Sequence, residues 1–229
     1  MHIYLDRGLE EVAKTSIGHL PAQYALVFDR PPAKGWYLYL DRAGLALMNR
    51  AKRVNLRLSM APIRRRVRQG RNLAIARACD VRPGLHVLDA LAGWGTDGLV
   101  LDQLGCDVVL TESNPMVFAM LEDLVRRSGC CARAELTDSR VRMRDGFDVI
   151  YLDPMFEEHP KTALPGERMQ VLHQIGDIGM PDTAELLALA RRYALERVVL
   201  KRRARSRVLE EPNWQIRTKS VRFDVYRPS

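Results

Sequence analysis

The segment Asp153-Pro154-Met155-Phe156 closes an apolar run, Val149-Ile150-Tyr151-Leu152, and so delivers a carboxylate, a proline carbonyl and an aromatic ring to one strand end. An acid, a proline, one further residue and an aromatic suit a planar ring that carries an exocyclic amine. The lone pair of such an amine is delocalised into its ring, which makes the nitrogen a poor nucleophile. Accepting its N–H bonds with the Asp153 carboxylate and the Pro154 carbonyl localises that pair. Phe156 would stack on the base, an interaction worth about 1–3 kcal/mol in single-strand binders. A base inside a folded nucleic acid must first leave its stack. Asp153, Pro154 and Phe156 are therefore the expected catalytic residues.

About 60 residues upstream, Gly93-Trp94-Gly95-Thr96-Asp97-Gly98 matches the glycine pattern of a dinucleotide turn, with Glu112 at a suitable distance. The acids argue for a different ligand. A pyrophosphate at this helix start would meet Asp89 and Asp97, whereas anions need uncluttered N–H groups there. S-adenosylmethionine has no phosphate, and its sulfonium and amino groups are cationic, so carboxylates in the turn help. Glu112 offers two acceptor oxygens for a pair of ribose hydroxyls. Asp138 and Ser139, after the following strand, are placed for an adenine edge. The sulfonium is itself the electrophile, so no metal is required, and the rate gain comes chiefly from proximity and orientation.

These residues need a scaffold that brings strand tips together. Runs at 85–88, 108–111, 132–136, 147–152 and 197–200 read as strands, and 96–104, 115–127 and 182–193 as helices, with Asp182 as N-cap. Segments 214–218 and 221–226 read as a closing hairpin. This alternation predicts an α/β fold, a Rossmann-like, mostly parallel sheet with a C-terminal antiparallel hairpin. Residues 1–60 are expected as a small N-terminal α+β subdomain with strands at 3–5, 24–28 and 36–40, and residues 61–229 as the catalytic domain. Alternating alanines at 72–79 suggest a closely packed helix. Met169 and Leu172 are expected in the core, and His159 and His173 in surface or packing roles.

Charge is uneven along the 229 residues, which carry a net +8. Residues 50–82 hold eleven Arg and Lys against the single acid Asp80, and a second cluster comprises Lys201, Arg202, Arg203, Arg205 and Arg207. Two arginine-rich patches are the footprint of a nucleic-acid binder, because the guanidinium fork matches phosphate. Arg64, Arg65, Arg66, Arg68, Arg71, Lys201 and Arg202 are the expected contacts. No apolar run approaches the roughly 20 residues of a membrane helix, and a cytoplasmic location is expected. Cys79, Cys106, Cys130 and Cys131 lack metal-site spacing and read as reduced thiols.

The chain resembles the RsmJ-type small-subunit ribosomal RNA guanine-N2 methyltransferases from about Ile63 to Tyr226. Matching stretches are Arg64-Arg65 with Gly70-Arg71, Asp89-Ala90 through Asp97, Leu104-Gly105-Cys106 and Glu112-x-Asn114-Pro115. They continue with Tyr151 through Phe156, Lys161-x-Ala163-Leu164, Val198-Val199 with Lys201-Arg202, and Arg222-Phe223-Asp224-x-Tyr226. The resemblance implies methyl transfer from S-adenosylmethionine to a guanine N2 amine of small-subunit rRNA. It implies cofactor contacts from Thr96, Asp97, Glu112, Ser113, Asp138, Ser139 and Asp153, beside Asp89, Gly93 and Gly95 of the turn, and adds Lys161 to the RNA side. This chain has Thr96 and Ser113 where the family usually carries arginine. Two alternatives remain open: methylation of another base amine such as adenine N6, and a catalytically silent RNA-binding or assembly factor.

Overall fold

The computed structural model describes residues 1–6, 8–9, 13, 20–28, 30–154, 166–175 and 182–229. Met155, Phe156, His159 and Lys161 lie outside the described residues. The N-terminal sheet contains β1 (His2–Leu5), β2 (Ala25–Val27), β3 (Tyr37–Asp41), β4 (Gly44–Asn49) and β5 (Val54–Leu56), in the order β2-β1-β3-β4-β5. β1 runs parallel to both neighbours, and β3, β4 and β5 form an antiparallel meander. Asp41 closes the β3–β4 turn by accepting from the Ala43 N–H at 2.8 Å. Strands β4 and β5 were not expected from the sequence. Leu, Ala and Met in β4 favour helix locally, and pairing with β3 overrides that propensity.

The segment that follows folds as helices α1 (Ala61–Val67) and α2 (Ala74–Cys79). The larger sheet is built from β6 (His86–Asp89), β7 (Asp107–Glu112), β8 (Arg133–Leu136), β9 (Phe147–Leu152), β10 (Ala194–Arg203), β11 (Trp214–Arg217) and β12 (Val221–Tyr226). Its order is β11-β12-β10-β9-β6-β7-β8. β6 to β10 are parallel, and β12 lies antiparallel between β10 and β11. The remaining helices are α3 (Thr96–Gln103), α4 (Pro115–Ser128), α5 (Ser139–Arg142), α6 (Glu167–Ile175) and α7 (Thr183–Tyr193). The expected Rossmann-like sheet with its closing hairpin is present. Asp182 caps α7, accepting from the Ala184 N–H at 3.0 Å.

Successive strand residues point to opposite faces, and here both faces are buried. Val87, Val149, Tyr151 and Val199 join one apolar cluster, while Leu88, Ile150, Leu152, Val198 and Leu200 join another with Leu186, Leu187 and Ala190 of α7. The first cluster also takes in Leu38 and Leu47 of the N-terminal sheet and Val117 and Leu121 of α4. The two sheets thus share one core, and the Tyr24 hydroxyl bonds the Pro115 carbonyl at 2.6 Å. Among the described residues no helix is long and apolar enough to cross a membrane.

The Arg222-Phe223-Asp224-x-Tyr226 run has a structural task. Arg222 and Asp224 are both buried, and Arg222 Nε donates to the two Asp224 oxygens at 2.8 and 3.0 Å. The other guanidinium nitrogens reach the Ser206 carbonyl at 2.5 Å and the Arg207 carbonyl at 3.3 Å. The Tyr226 hydroxyl bonds the Glu210 carbonyl at 3.0 Å. A buried ion pair survives only when its remaining donors and acceptors are also satisfied. Here those donors pin the loop that carries Arg205 and Arg207.

Candidate active site

A cleft of about 610 Å³ opens at the carboxyl ends of β6, β7, β9 and β10, the position where open α/β sheets bind ligands. Strand parity explains what lines it. Asp89 pairs in register with Tyr151, and Leu152 pairs with Leu200, so Asp153 and Lys201 follow as the next neighbours. Residues side by side in parallel strands share a face. Tyr151 and Asp153 on β9, Lys201 and Arg203 on β10 and Asp89 on β6 therefore all turn toward α3.

The result is a charged chain across the cleft floor. Lys201 Nζ sits 2.7 Å from Asp97 Oδ2 and 2.7 Å from Asp153 Oδ2. Arg66 of α1 reaches Asp97 Oδ1 at 2.6 Å, and the Tyr151 hydroxyl donates to Asp97 Oδ2 at 2.6 Å. Burial pushes the Asp97 carboxyl up, but Lys201 and Arg66 outweigh it and hold it well below the ordinary carboxylate range. Asp153 goes the other way: burial raises it to about 6, with Lys201 pulling down and Asp97 adding to the rise. Its side chain remains 26% exposed to the cleft.

Asp89 is fully enclosed. Its Oδ2 accepts from the Gly98 N–H at 3.1 Å, and its Oδ1 is buried without a partner among the described residues. Burial, then the nearby Asp97 and Asp153, push its carboxyl well above the ordinary range. Gly98 is required there, since a Cβ would stand 2.7 Å from Asp89 Oδ2 and 2.2 Å from Leu110 Cδ2. Gly93 (φ +52°) lines the cleft. Gly95 does not, because it packs beneath α4, where a Cβ would meet Leu121 Cδ1 at 2.4 Å.

Glu112, at the tip of β7, accepts from the Gly93 N–H at 3.1 Å and from the Asn114 N–H at 2.7 Å. Burial raises its carboxyl, and those backbone donors oppose the rise. The bonds lock the glycine turn to the second strand and leave further lone pairs facing the cleft. Thr96, Ser113, Asp138 and Ser139 also line it. Asp138 caps α5 and is forked by Arg140, whose Nη2 lies 2.5 Å from Oδ2; that bond lowers the Asp138 carboxyl.

Helix α6 forms the opposite wall. The Trp94 indole N–H donates to the Arg168 carbonyl at 3.0 Å, and Asn114 Nδ2 donates to the Ile175 carbonyl at 2.6 Å. From the N-terminal sheet, Lys52 Nζ bonds Gln174 at 2.5 Å, and the Arg57 carbonyl accepts from Arg168 at 3.2 Å. Met169, 43% exposed, faces the cleft rather than the core, whereas Leu172 packs against the core and also lines the cleft. Their spacing suits an apolar face, and the sequence does not say whether that face meets protein or ligand. His173 lines the same wall.

Two residues expected on the RNA side sit differently. Lys201, only 20% exposed, and Arg66 are engaged with the cleft carboxylates. Arg64, Arg65, Arg68 and Arg71 remain on the open surface, and Arg202 points away from the cleft lining. The register of β9 beside β10, which only the structure supplies, places Lys201 next to Asp153. No local signal marked Arg66, Trp94 or Asn114.

The fold and the acid-lined cleft together define a methyltransferase that uses S-adenosylmethionine. Residues 20–228 match the family described as "Putative SAM-dependent methyltransferase", and the chain belongs to that family. It is 44% identical over 154 residues to the ribosomal RNA small subunit methyltransferase J of Hahella chejuensis, spanning 62% of this chain and 58% of that protein. The protein of the same name from Alkalilimnicola ehrlichii is 33% identical over 243 aligned positions, covering 95% of this chain and 92% of that one. The crystal structure of a SAM-dependent methyltransferase from Neisseria gonorrhoeae superposes with a TM-score of 0.78 at 28% identity, covering 100% of this chain and 96% of that chain.

Proposed function

We propose that this protein transfers a methyl group from S-adenosylmethionine to the N2 amine of a guanine in small-subunit ribosomal RNA, in the cytoplasm. One observation carries the reading: a single cleft joins the ribose-type acceptor Glu112 on β7 to the amine-type acceptor Asp153-Pro154 on β9, with β6 between them. Two strand spacings set those tips about 10 Å apart. The ribosomal RNA substrate follows the names of the relatives, and the exposed arginines of α1 supply the charge such a partner needs.

The residues fit the cofactor. Asp97 and Asp153 line the cleft with carboxylates that suit cationic groups and would repel a pyrophosphate, and one Asp89 oxygen beside them is buried without a partner among the described residues. Glu112 would hold the ribose, Ser113, Asp138 and Ser139 the adenine side, and Gly93 and Thr96 the turn. When bound, the cofactor supplies an electrophilic methyl on sulfur and departs as a neutral thioether. Asp153 and the Pro154 carbonyl accept the two amine hydrogens and orient the nitrogen lone pair. Once the new C–N bond has formed, the surplus proton on nitrogen passes to the Asp153 carboxylate.

Replacing Glu112 with Ala strips the acceptor from two backbone N–H groups, each worth about 1–3 kcal/mol when left unpaired. Calorimetry is expected to show S-adenosylmethionine binding weakened by about 10- to 100-fold. Undiminished affinity would remove Glu112 from the cofactor site. Arg64→Ala with Arg65→Ala is expected to flatten the salt dependence of RNA binding by about 0.7 in log–log slope per lost contact. An unaltered slope would take both arginines off the phosphate backbone. Mass-spectrometric mapping of small-subunit rRNA from cells with and without the protein tests the reading itself: one N2-methylguanine should depend on it.

A further inference from the structure

We propose that Lys201 is a positioning residue for the transfer step, holding Asp153 in place as an amine acceptor, and is not a contact to RNA phosphate. The inference rests on the reading of Asp153 given above and specifies what keeps that carboxylate in position.

The geometry is that of a clamp. The Lys201 ammonium bonds Asp97 Oδ2 and Asp153 Oδ2, both at 2.7 Å. Asp97 is in turn fixed by Arg66 and by the Tyr151 hydroxyl, each at 2.6 Å. Asp97 stands in the first turn of α3, so the clamp ties the glycine-turn helix directly to the β9 tip. The bond to Asp153 uses Oδ2, and among the described residues no donor bonds Oδ1, which is left to an amine N–H. With a side chain 20% exposed and two of its three N–H donors committed to carboxylates, Lys201 lacks the reach of a surface phosphate contact. The strand register explains why a lysine does this: Lys201 is the residue beside Asp153 on the adjacent parallel strand, so no loop has to carry it there.

Asp153 is faced by Lys201 from β10, Asp97 from α3, Arg66 from α1 and Asp89 from β6, with Tyr151 on its own strand. Two cations oppose two neighbouring acids. Removing Lys201 would leave Asp153 close to Asp97 with only the more distant Arg66 in compensation. The carboxyl would then hold its proton to higher pH, and a protonated Asp153 is a poorer acceptor.

The test is the pH profile of methyl transfer to small-subunit RNA by wild type, Lys201→Met and Lys201→Arg, with RNA and cofactor affinities measured in parallel. Lys201→Met is expected to move the acid limb of the kcat/KM profile upward by about one pH unit, a roughly threefold loss at pH 6.5 that approaches about tenfold near pH 5, with the RNA salt slope unchanged. Lys201→Arg keeps the charge and serves as a control for packing; its acid limb should stay near that of wild type while kcat falls. An unmoved acid limb in Lys201→Met, or a reduced RNA salt slope in either variant, overturns the proposal. Wild type inactive on a purine amine would instead reject the underlying functional reading, so the two failures are told apart.

Discussion

Asp153→Ala is expected to lower the single-turnover rate of methyl transfer by about 10²- to 10⁴-fold, the range over which a positioned acid–base group acts. RNA should still bind. Asp153 lies at the tip of β9, where it contacts the Lys201 ammonium and lines the cleft. Truncating it releases one oxygen from Lys201, which keeps its bond to Asp97. The fold should therefore survive, and the loss should appear in kcat with little change in KM. The pH dependence has the same origin. Burial sets the Asp153 carboxyl at about 6 in the free enzyme, and the active form is the ionised one. Activity should therefore fall as the pH drops through about 6 and level off above it. Wild-type turnover in Asp153→Ala would remove Asp153 from the reaction.

The second large effect is on stability. Asp224→Ala strands Arg222, which is buried and would lose both hydrogen bonds to the carboxylate. Breaking one side of a buried pair typically costs about 3–5 kcal/mol. For a chain of this size that corresponds to a fall in Tm of very roughly 6–20 °C. The carbonyls of Ser206 and Arg207 would share the disturbance, because the same guanidinium holds them. RNA affinity measured below the new Tm should also decline as the Arg205 and Arg207 loop loosens. Calorimetric melting checks the first part; a Tm shift of under 2 °C would mean that the pair is solvated in solution.

The residues expected on the cofactor side were legible as lining of the cleft because their chemistry is local. Asp89, Gly93, Asp97 and Glu112 lie on consecutive strand tips and one tight turn, where glycines, acids and an apolar run at short spacing leave little but a ligand-binding loop. Asp153 and Pro154 were legible for the same reason. What the residues themselves did not reveal depends on long-range pairing. Lys201 and Arg66 look like members of basic runs, yet they meet Asp97 across 104 and 31 residues of chain, respectively. Their charge was evident and their partners were not. Met169 and Leu172 carry an apolar face, and only the tethering of α6 through Trp94 and Asn114 decides that it borders the cleft. Strand β4 was hidden by helix-forming residues that become a strand through pairing with β3 and β5.

The arrangement has a simple physical logic. Three of the parallel strands, β6, β7 and β9, deliver acids to one edge, and a glycine-lined turn lets a helix approach them closely. A lysine and an arginine then offset enough of that negative charge to keep Asp97 ionised while Asp153 stays near its titration point.

The most direct measurement is a crystal structure of the protein with S-adenosylhomocysteine and a short RNA carrying the target guanine. Glu112 is expected on the ribose hydroxyls, and the guanine N2 within about 3 Å of Asp153 and the Pro154 carbonyl, on a line toward the sulfur. A homocysteine sulfur pointing away from the β9 tip, or Asp153 bound to protein groups with no access for a base, would contradict the proposed transfer.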